Sequence, residues 1–229
     1  MPVPPTVQAL PVQESGIRLA RAVPYELHVR ARADFSSGGV IIHFGNSGKV
    51  AAVYQVYSGN GVGGPWTYTV APDTELSDRW SLTANGQTEY DLSVFGPNAF
   101  LRVFKGSISG SGKANLRSSV TYDTRNNGVL LGIDNHSDAV FKVRVFNSYT
   151  NEMTEHTLKP NEELSKFWSL HSSYGWYEFT ITTDSDPSFQ QRLAGHLETG
   201  HASMTDPAIA TAQPQQASVN QVANYSAKA

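Results

Sequence analysis

The chain has no cysteine in its 229 residues. Disulfides and thiolate metal sites are therefore excluded, although exported bacterial proteins can also lack cysteine, so the compartment stays open. Charge is sparse: Asp, Glu, Lys and Arg make up 16% of the chain, with a net charge of −3. No dense Lys/Arg cluster is present, so there is no electrostatic footprint for nucleic acid or for anionic lipid. No apolar run approaches the ~18 residues of a membrane-spanning helix. The opening MPVPPTVQAL lacks the charged and apolar regions of a signal peptide, and Met1 is compatible with the start of a fragment. The motifs HExxH, CxxC, GxSxG and the EF-hand loop are all missing. No segment shows convincing helical periodicity.

What is present is a duplication. Residues 72–82, PDTELSDRWSL, and 160–170, PNEELSKFWSL, are identical at seven of eleven positions. Gly39-Val40 aligns with Gly128-Val129, Asn46 with Asn135, Tyr90 with Tyr177, and Gly106 with Gly195, at offsets of 87–89 residues. One unit of about 85–90 residues therefore occurs twice, near the lower size of an independent domain. The expected organisation is an extended, proline-rich leader (1–24), a first unit (25–108), a Gly/Ser linker (109–114), a second unit (115–200) and a polar tail without fixed structure (201–229).

Within each unit the apolar period is two. Leu27, Val29, Ala31 and Ala33 alternate with His28, Arg30 and Arg32, and Phe141, Val143 and Val145 alternate with Lys142 and Arg144. That is the pattern of half-buried strands. Turn signals such as Ser37-Gly38-Gly39 and Asn85-Gly86 separate the runs. Seven strands are expected in the first unit, at 26–34, 39–44, 50–57, 66–71, 75–82, 87–95 and 99–105. The fold class is thus all-β: two tandem immunoglobulin-like sandwiches of about seven strands each. A short turn over Leu76–Trp80 is the alternative to the fifth strand. The repeated block is read as core. Leu76/Leu164, Trp80/Trp168 and Leu82/Leu170 lie an even number of residues apart and share a face in a strand, and large aromatics dominate small cores.

Candidates for chemistry each have a structural counterpart. Asp134-Asn135-His136-Ser137-Asp138 offers two carboxylates and an imidazole to a metal, but Asp, Asn and Ser are turn formers, and a turn is preferred. Asn135-His136-Ser137 also fits a glycosylation sequon, a weak motif. His196, Glu198 and His201 could bind a metal or act as bases, whereas a terminal strand with polar outward residues explains them with fewer assumptions. Gly59-Asn60-Gly61-Val62-Gly63-Gly64 spells GxGxxG. That means dinucleotide binding only when it opens a helix, and here a strand pattern follows. No metal, cofactor or catalytic residue is assigned. Three aromatics, Trp66, Tyr174 and Trp176, are candidates for lipid contact, because indole favours membrane interfaces and aromatic cages suit a choline ammonium.

Several stretches resemble the C-terminal part of bacterial phosphocholine-preferring phospholipases C, relatives of the phosphoesterases that include acid phosphatase A. Pro11–Arg18 with Ala20–Glu26 resembles the segment leading out of that family's catalytic domain. Val56-Tyr57, Tyr68-Thr69-Val70, Leu76-Ser77-Asp78 and Tyr90–Arg102 resemble the first repeat. Gly175-Trp176-Tyr177, Phe189 and Gly195–Gly200 resemble the second, and Ser203 with Asp206-Pro207-Ala208 the closing stretch. The resemblance spans about residues 10–208. It departs at Ser15, where the family favours proline, at the insertion 59–64 and in the tail. It implies two β-domains without an assigned catalytic role. It also implies that the hydrolase machinery, a metal-assisted threonine nucleophile among carboxylates and histidines, lies upstream. The partners it implies are that catalytic domain in the same polypeptide and, beyond it, a phosphatidylcholine-containing membrane surface, in a secreted or periplasmic bacterial setting. A headgroup-binding module and a surface adhesin module are the alternatives.

Overall fold

The computed structural model describes residues 16–61, 63–110 and 112–211. Sixteen strands follow in order: β1 (Leu19–Ala20), β2 (Leu27–Asp34), β3 (Gly39–Asn46), β4 (Ala52–Ser58), β5 (Trp66–Val70), β6 (Thr74–Ser81), β7 (Glu89–Phe95), β8 (Leu101–Ser107), β9 (Leu116–Asp123), β10 (Gly128–Asn135), β11 (Phe141–Asn147), β12 (Glu152–Leu158), β13 (Glu163–Ser169), β14 (Trp176–Thr183), β15 (Gln190–His196) and β16 (Ser203–Met204). A short helix α1 (Pro207–Thr211) closes the described region. Leu76–Trp80 is a strand and not a turn, paired along its length with β3.

In the first half, the sheet β2-β3-β6 faces the strands β5-β4-β7-β8. The fourth strand pairs with the third and not with the three-stranded sheet, giving a three-plus-four immunoglobulin-like sandwich. The second half has the same order: β9-β10-β13 faces β12-β11-β14-β15. Alternation explains the layering, since every second residue of each strand points inward. Val40, Ile42 and Phe44 meet Tyr54, Val56, Leu92 and Val94 in one core. Val129, Leu131 and Ile133 meet Val143, Val145, Phe179 and Ile181 in the other. Trp80 and Trp168 are 4% and 5% exposed, and Leu82 and Leu170 are buried beside them. Leu76 and Leu164 are half-buried against the same cores.

The aligned Tyr and Gly pairs have a packing reason. Tyr90 lies opposite Gly106, and Tyr177 opposite Gly195. A Cβ at Gly106 would sit 2.4 Å from the Tyr90 hydroxyl, and one at Gly195 2.9 Å from that of Tyr177. Each glycine leaves the space its tyrosine ring fills.

The two halves are not separated by a swinging linker. β8 pairs antiparallel with β15, so the two four-stranded layers fuse into one eight-stranded sheet. β2 and β9 lie against each other on the other layer. The segment after β8 is tied down as well: buried Asp186 accepts from Lys113 Nζ at 3.1 Å and from the Ala114 N–H at 2.9 Å. Burial opposes ionisation of Asp186, but hydrogen bonds from Ser188 and Ala114 and the Lys113 ammonium hold its carboxyl below the usual range.

The expectation of an unstructured tail fails over 201–211. Met204 and Ser203 pair with Leu19 and Ala20 of the leader, and the Trp176 indole N–H donates to the Met204 carbonyl at 2.9 Å. The extended leader supplies a strand partner that the polar sequence of this stretch does not reveal. The rest of the tail, 212–229, and the leader before residue 16 lie outside the described residues.

Candidate functional site

Two places concentrate polar side chains. The first is a groove of about 560 Å³ where the halves meet, lined by His28, Arg30, His43, Glu75, Ser119 and Arg102 among others. It lies between β2 and β9, whose outward polar positions face each other. Arg102 is 1% exposed. Its Nη1 donates to the carbonyls of Leu101 at 2.8 Å and Ala194 at 2.7 Å, and its Nη2 donates to the Tyr177 hydroxyl at 2.9 Å. The guanidinium carbon sits 4.1 Å from the centre of the Phe100 ring. Tyr122 completes the network: its hydroxyl donates to the Leu27 carbonyl at 3.0 Å and lies 3.1 Å from that of Tyr177. Burial pushes the Tyr122 phenol well above its ordinary pKa.

Ser47, His28 and Glu26 come together beside this groove, but not as a nucleophilic triad. Ser47 Oγ is 2.8 Å from His28 Nε2 and 2.5 Å from Glu26 Oε1. The serine hydroxyl therefore donates to the carboxylate directly, and the carboxylate approaches the same ring nitrogen, Nε2, at 3.7 Å. A triad needs the acid on Nδ1, behind the histidine. Burial and the nearby Arg102 charge lower the pKa of His28, with Glu26 opposing. His43 Nδ1 meets Glu75 Oε1 at 3.1 Å, an oxygen that also accepts from Arg30 Nη2 at 3.0 Å. Glu75 is thus held as an ion-pair partner on the surface.

The second place is a clasp at the end of β15. Glu198 Oε2 accepts from the Val23 N–H at 3.2 Å, and Oε1 accepts from Asn98 Nδ2 at 2.6 Å and meets His196 Nδ1 at 2.8 Å. One carboxylate thereby joins the leader, the β7–β8 turn of the first half and the end of the second. His196 Nε2 lies 3.0 Å from the Tyr174 carbonyl, and its ring sits 4.6 Å from that of Trp176. His201 is exposed and does not join His196 and Glu198, so of the three candidates only two come together, at the end of the strand.

The remaining candidates are placed as follows. Asn135 is buried, with Nδ2 donating to the carbonyls of Ala139, Leu158 and Lys159 and Oδ1 accepting from the Ser137 N–H. Asn46 makes the equivalent bonds to Val50, Val70 and Gly48. The Asp134–Asp138 run is therefore a strand corner held from within, and its amide is not available to a glycan. Among the described residues no three His, Asp or Glu side chains gather to hold a metal. The GxGxxG run leads into β5, where the Trp66 ring folds over Gly64 and meets Trp80 edge-on at 5.6 Å. Trp176 is 7% exposed, so its premise of an open indole fails, while Tyr174 is 43% exposed. Sequence reasoning missed Arg102, although a signal existed: it occupies an inward position between Phe100 and Phe104.

The bacterial phospholipase C, C-terminal domain family matches residues 19–107 and again residues 116–196. The chain is 42% identical over 215 residues to a non-hemolytic phospholipase C of Burkholderia pseudomallei, covering 93% of this chain and 31% of that protein. It is 34% identical over 215 residues to the non-hemolytic phospholipase C of Pseudomonas aeruginosa, covering 91% and 31%. With the hemolytic phospholipase C of the same species it shares 36% identity over 231 residues, covering 88% and 31%. The chain thus spans about a third of the length of these relatives. With the family matched on both halves, the chain belongs to the bacterial phospholipase C C-terminal domain family.

Proposed function

We propose that this chain is the non-catalytic accessory region of a secreted bacterial phospholipase C. The upstream part of that polypeptide would hydrolyse phosphatidylcholine or sphingomyelin to release phosphocholine. The observation that carries this reading is the double match to the C-terminal domain family in a chain that spans 31% of its relatives. The site geometry supports it: among the described residues the Ser47–His28–Glu26 cluster has its acid on the wrong side, and the buried Arg102 is held by Tyr177 and backbone carbonyls. The role we assign is a rigid support for the catalytic domain, since eight strands fuse the halves into one body. Assay of this chain alone on nitrophenyl-phosphocholine is expected to show no hydrolysis above buffer. Measurable turnover would overturn the reading.

A second reading, contact with phosphatidylcholine surfaces, rests on exposed Tyr174 and on half-buried Trp66 at the rim of the first half. Flotation with phosphatidylcholine vesicles, comparing the wild type with Trp66→Ala and Tyr174→Ala, tests it. Co-flotation lost in the variants supports a lipid role, and absence of co-flotation leaves support of the catalytic domain alone.

A further inference from the structure

We propose that the outer face of the eight-stranded sheet, over β4, β7 and β8, is the seat on which the upstream part of the same polypeptide docks. The proposal rests on the accessory reading above and adds where the contact is made. Three apolar side chains stand open there: Val53, Tyr57 and Phe95 are 46%, 43% and 44% exposed. The Tyr57 and Phe95 rings meet edge to face at 5.6 Å. Strand register extends the patch sideways. Phe95 lies opposite Leu101, and Leu101 opposite Ala194. An uncharged row thus runs across the junction of the two halves.

Most of the rest of this face is built differently, apart from Met153, 59% exposed opposite Phe146 at the far edge of the sheet. Arg192 pairs with Glu178, and Arg144 pairs with both Glu155 and Asp184. Lys105 and Asp91, 2.8 Å apart, border the patch on its other side. Those charges are matched within the chain and call for no partner. Among the described residues the apolar row has no such covering, and a contiguous exposed apolar patch ringed by polar residues marks an interaction surface.

The path of the chain says what covers it. β1 crosses at the end of this same face: Leu19 pairs with Met204, whose carbonyl takes the Trp176 indole N–H. Trp176 pairs with His196, two residues beyond Ala194. At ~3.3 Å per residue, His196 stands about 7 Å along β15 from the apolar row, and the leader crosses beyond it at that end of the face. It brings two more exposed apolar side chains with it, Ile17 and Leu19. The relatives carry roughly two thirds of their length outside the matched region. A body attached at the leader is delivered onto this face at an effective concentration of about a millimolar. A second copy or a vesicle has no such tether.

Hydroxyl-radical footprinting of the whole polypeptide, held monomeric as verified by mass photometry, tests this. Tyr57 and Phe95 are compared with Phe35 and Phe167, which are similarly open elsewhere on the chain. The expected result is oxidation of Tyr57 and Phe95 at least fivefold below that of the two controls. In the double variant Tyr57→Lys/Phe95→Lys, cleavage of the leader before residue 16 is expected to release a free upstream fragment on size exclusion, while the cleaved wild type co-elutes. Equal oxidation at all four rings in the monomer would overturn the proposal. So would protection that appears only in a dimer or only on phosphatidylcholine vesicles, or co-elution that survives the double variant. If deleting the whole region destabilises the upstream enzyme and the face variants do not, the docking face is wrong and the accessory reading stands.

Discussion

Arg102 Nη1 donates to the carbonyl oxygen of Ala194 at 2.7 Å, tying β8 of the first half to β15 of the second across 92 residues of chain. Among the described residues no carboxylate pairs with this buried cation. Backbone carbonyls, the Tyr177 hydroxyl and the Phe100 ring hold it. Such an arrangement persists only where geometry is fixed, because an unpaired buried charge is costly. Replacing Arg102 by Ala leaves the Tyr177 and Ala194 oxygens without their donor and opens a cavity. Urea unfolding is expected to show a loss of about 3 kcal/mol. Arg102→Met, which keeps the volume without the charge, is expected to lose less. An Arg102→Ala protein that unfolds at the wild-type midpoint would show the junction to be held elsewhere.

His28 gives a pH signature. Its folded pKa is lowered from 6.5, chiefly by burial. A depressed folded pKa means that protonation is easier in the unfolded chain. The contribution is therefore intact above about 6.5 and is lost as pH falls through the folded value. Stability followed by urea midpoint from pH 7.5 to pH 5 should fall, and His28→Asn should flatten that slope. NMR titration of the imidazole should give a midpoint below 6.5, and a midpoint above it would refute the assignment.

Trp80 and Trp168 fill equivalent core positions, and each truncation to Ala should cost about 3–5 kcal/mol. The two sites differ in detail. Trp168 has a buried indole N–H without a partner among the described residues and carries the Lys166 ammonium 4.0 Å over its ring. Trp168→Phe should therefore be milder than Trp80→Ala. Thermal melts of Trp80→Ala and Trp168→Ala that match the wild type would remove both from the core.

Glu198 holds the leader. Glu198→Ala frees the Val23 N–H, Asn98 and His196 together, a loss of about 1–3 kcal/mol in the clasp alone. Limited proteolysis should then cut between residues 16 and 24 at least several-fold faster, with little change in global melting. Unchanged cleavage there would mean that the β1–β16 ladder suffices without the carboxylate.

Strand positions were legible because alternation is local: β2, β4 and β11 fall where Leu27–Ala33, Ala52–Val56 and Phe141–Val145 alternate. The Asn46 and Asn135 corners were legible as turns, though not as buried amides that bridge two carbonyl groups in the first case and three in the second. The β8–β15 ladder was not legible, since an edge strand and a paired strand carry the same inward apolar set. What could have been read is polarity out of place. Arg102 and its counterpart Gln191 both sit at inward positions and are both buried, Gln191 Nε2 donating to the Leu116 carbonyl at 3.0 Å. The structure of residues 201–211 depended on a partner nearly 190 residues away, which no local pattern encodes.

The ladder that fuses the halves has one more property. With the offset of 89 that relates Gly106 to Gly195, β8 and β15 are the same strand of the repeat. Val103 faces Arg192, its own counterpart, at the centre, while Leu101 faces Ala194 and Gln190 faces Lys105. The pairing therefore reads the same from either side, as in a two-fold dimer. An edge satisfied by its own equivalent cannot receive a third copy. Head-to-tail stacks lengthen freely, but the contact at this ladder is closed at two, and β5 and β12 are the outer strands of the fused sheet.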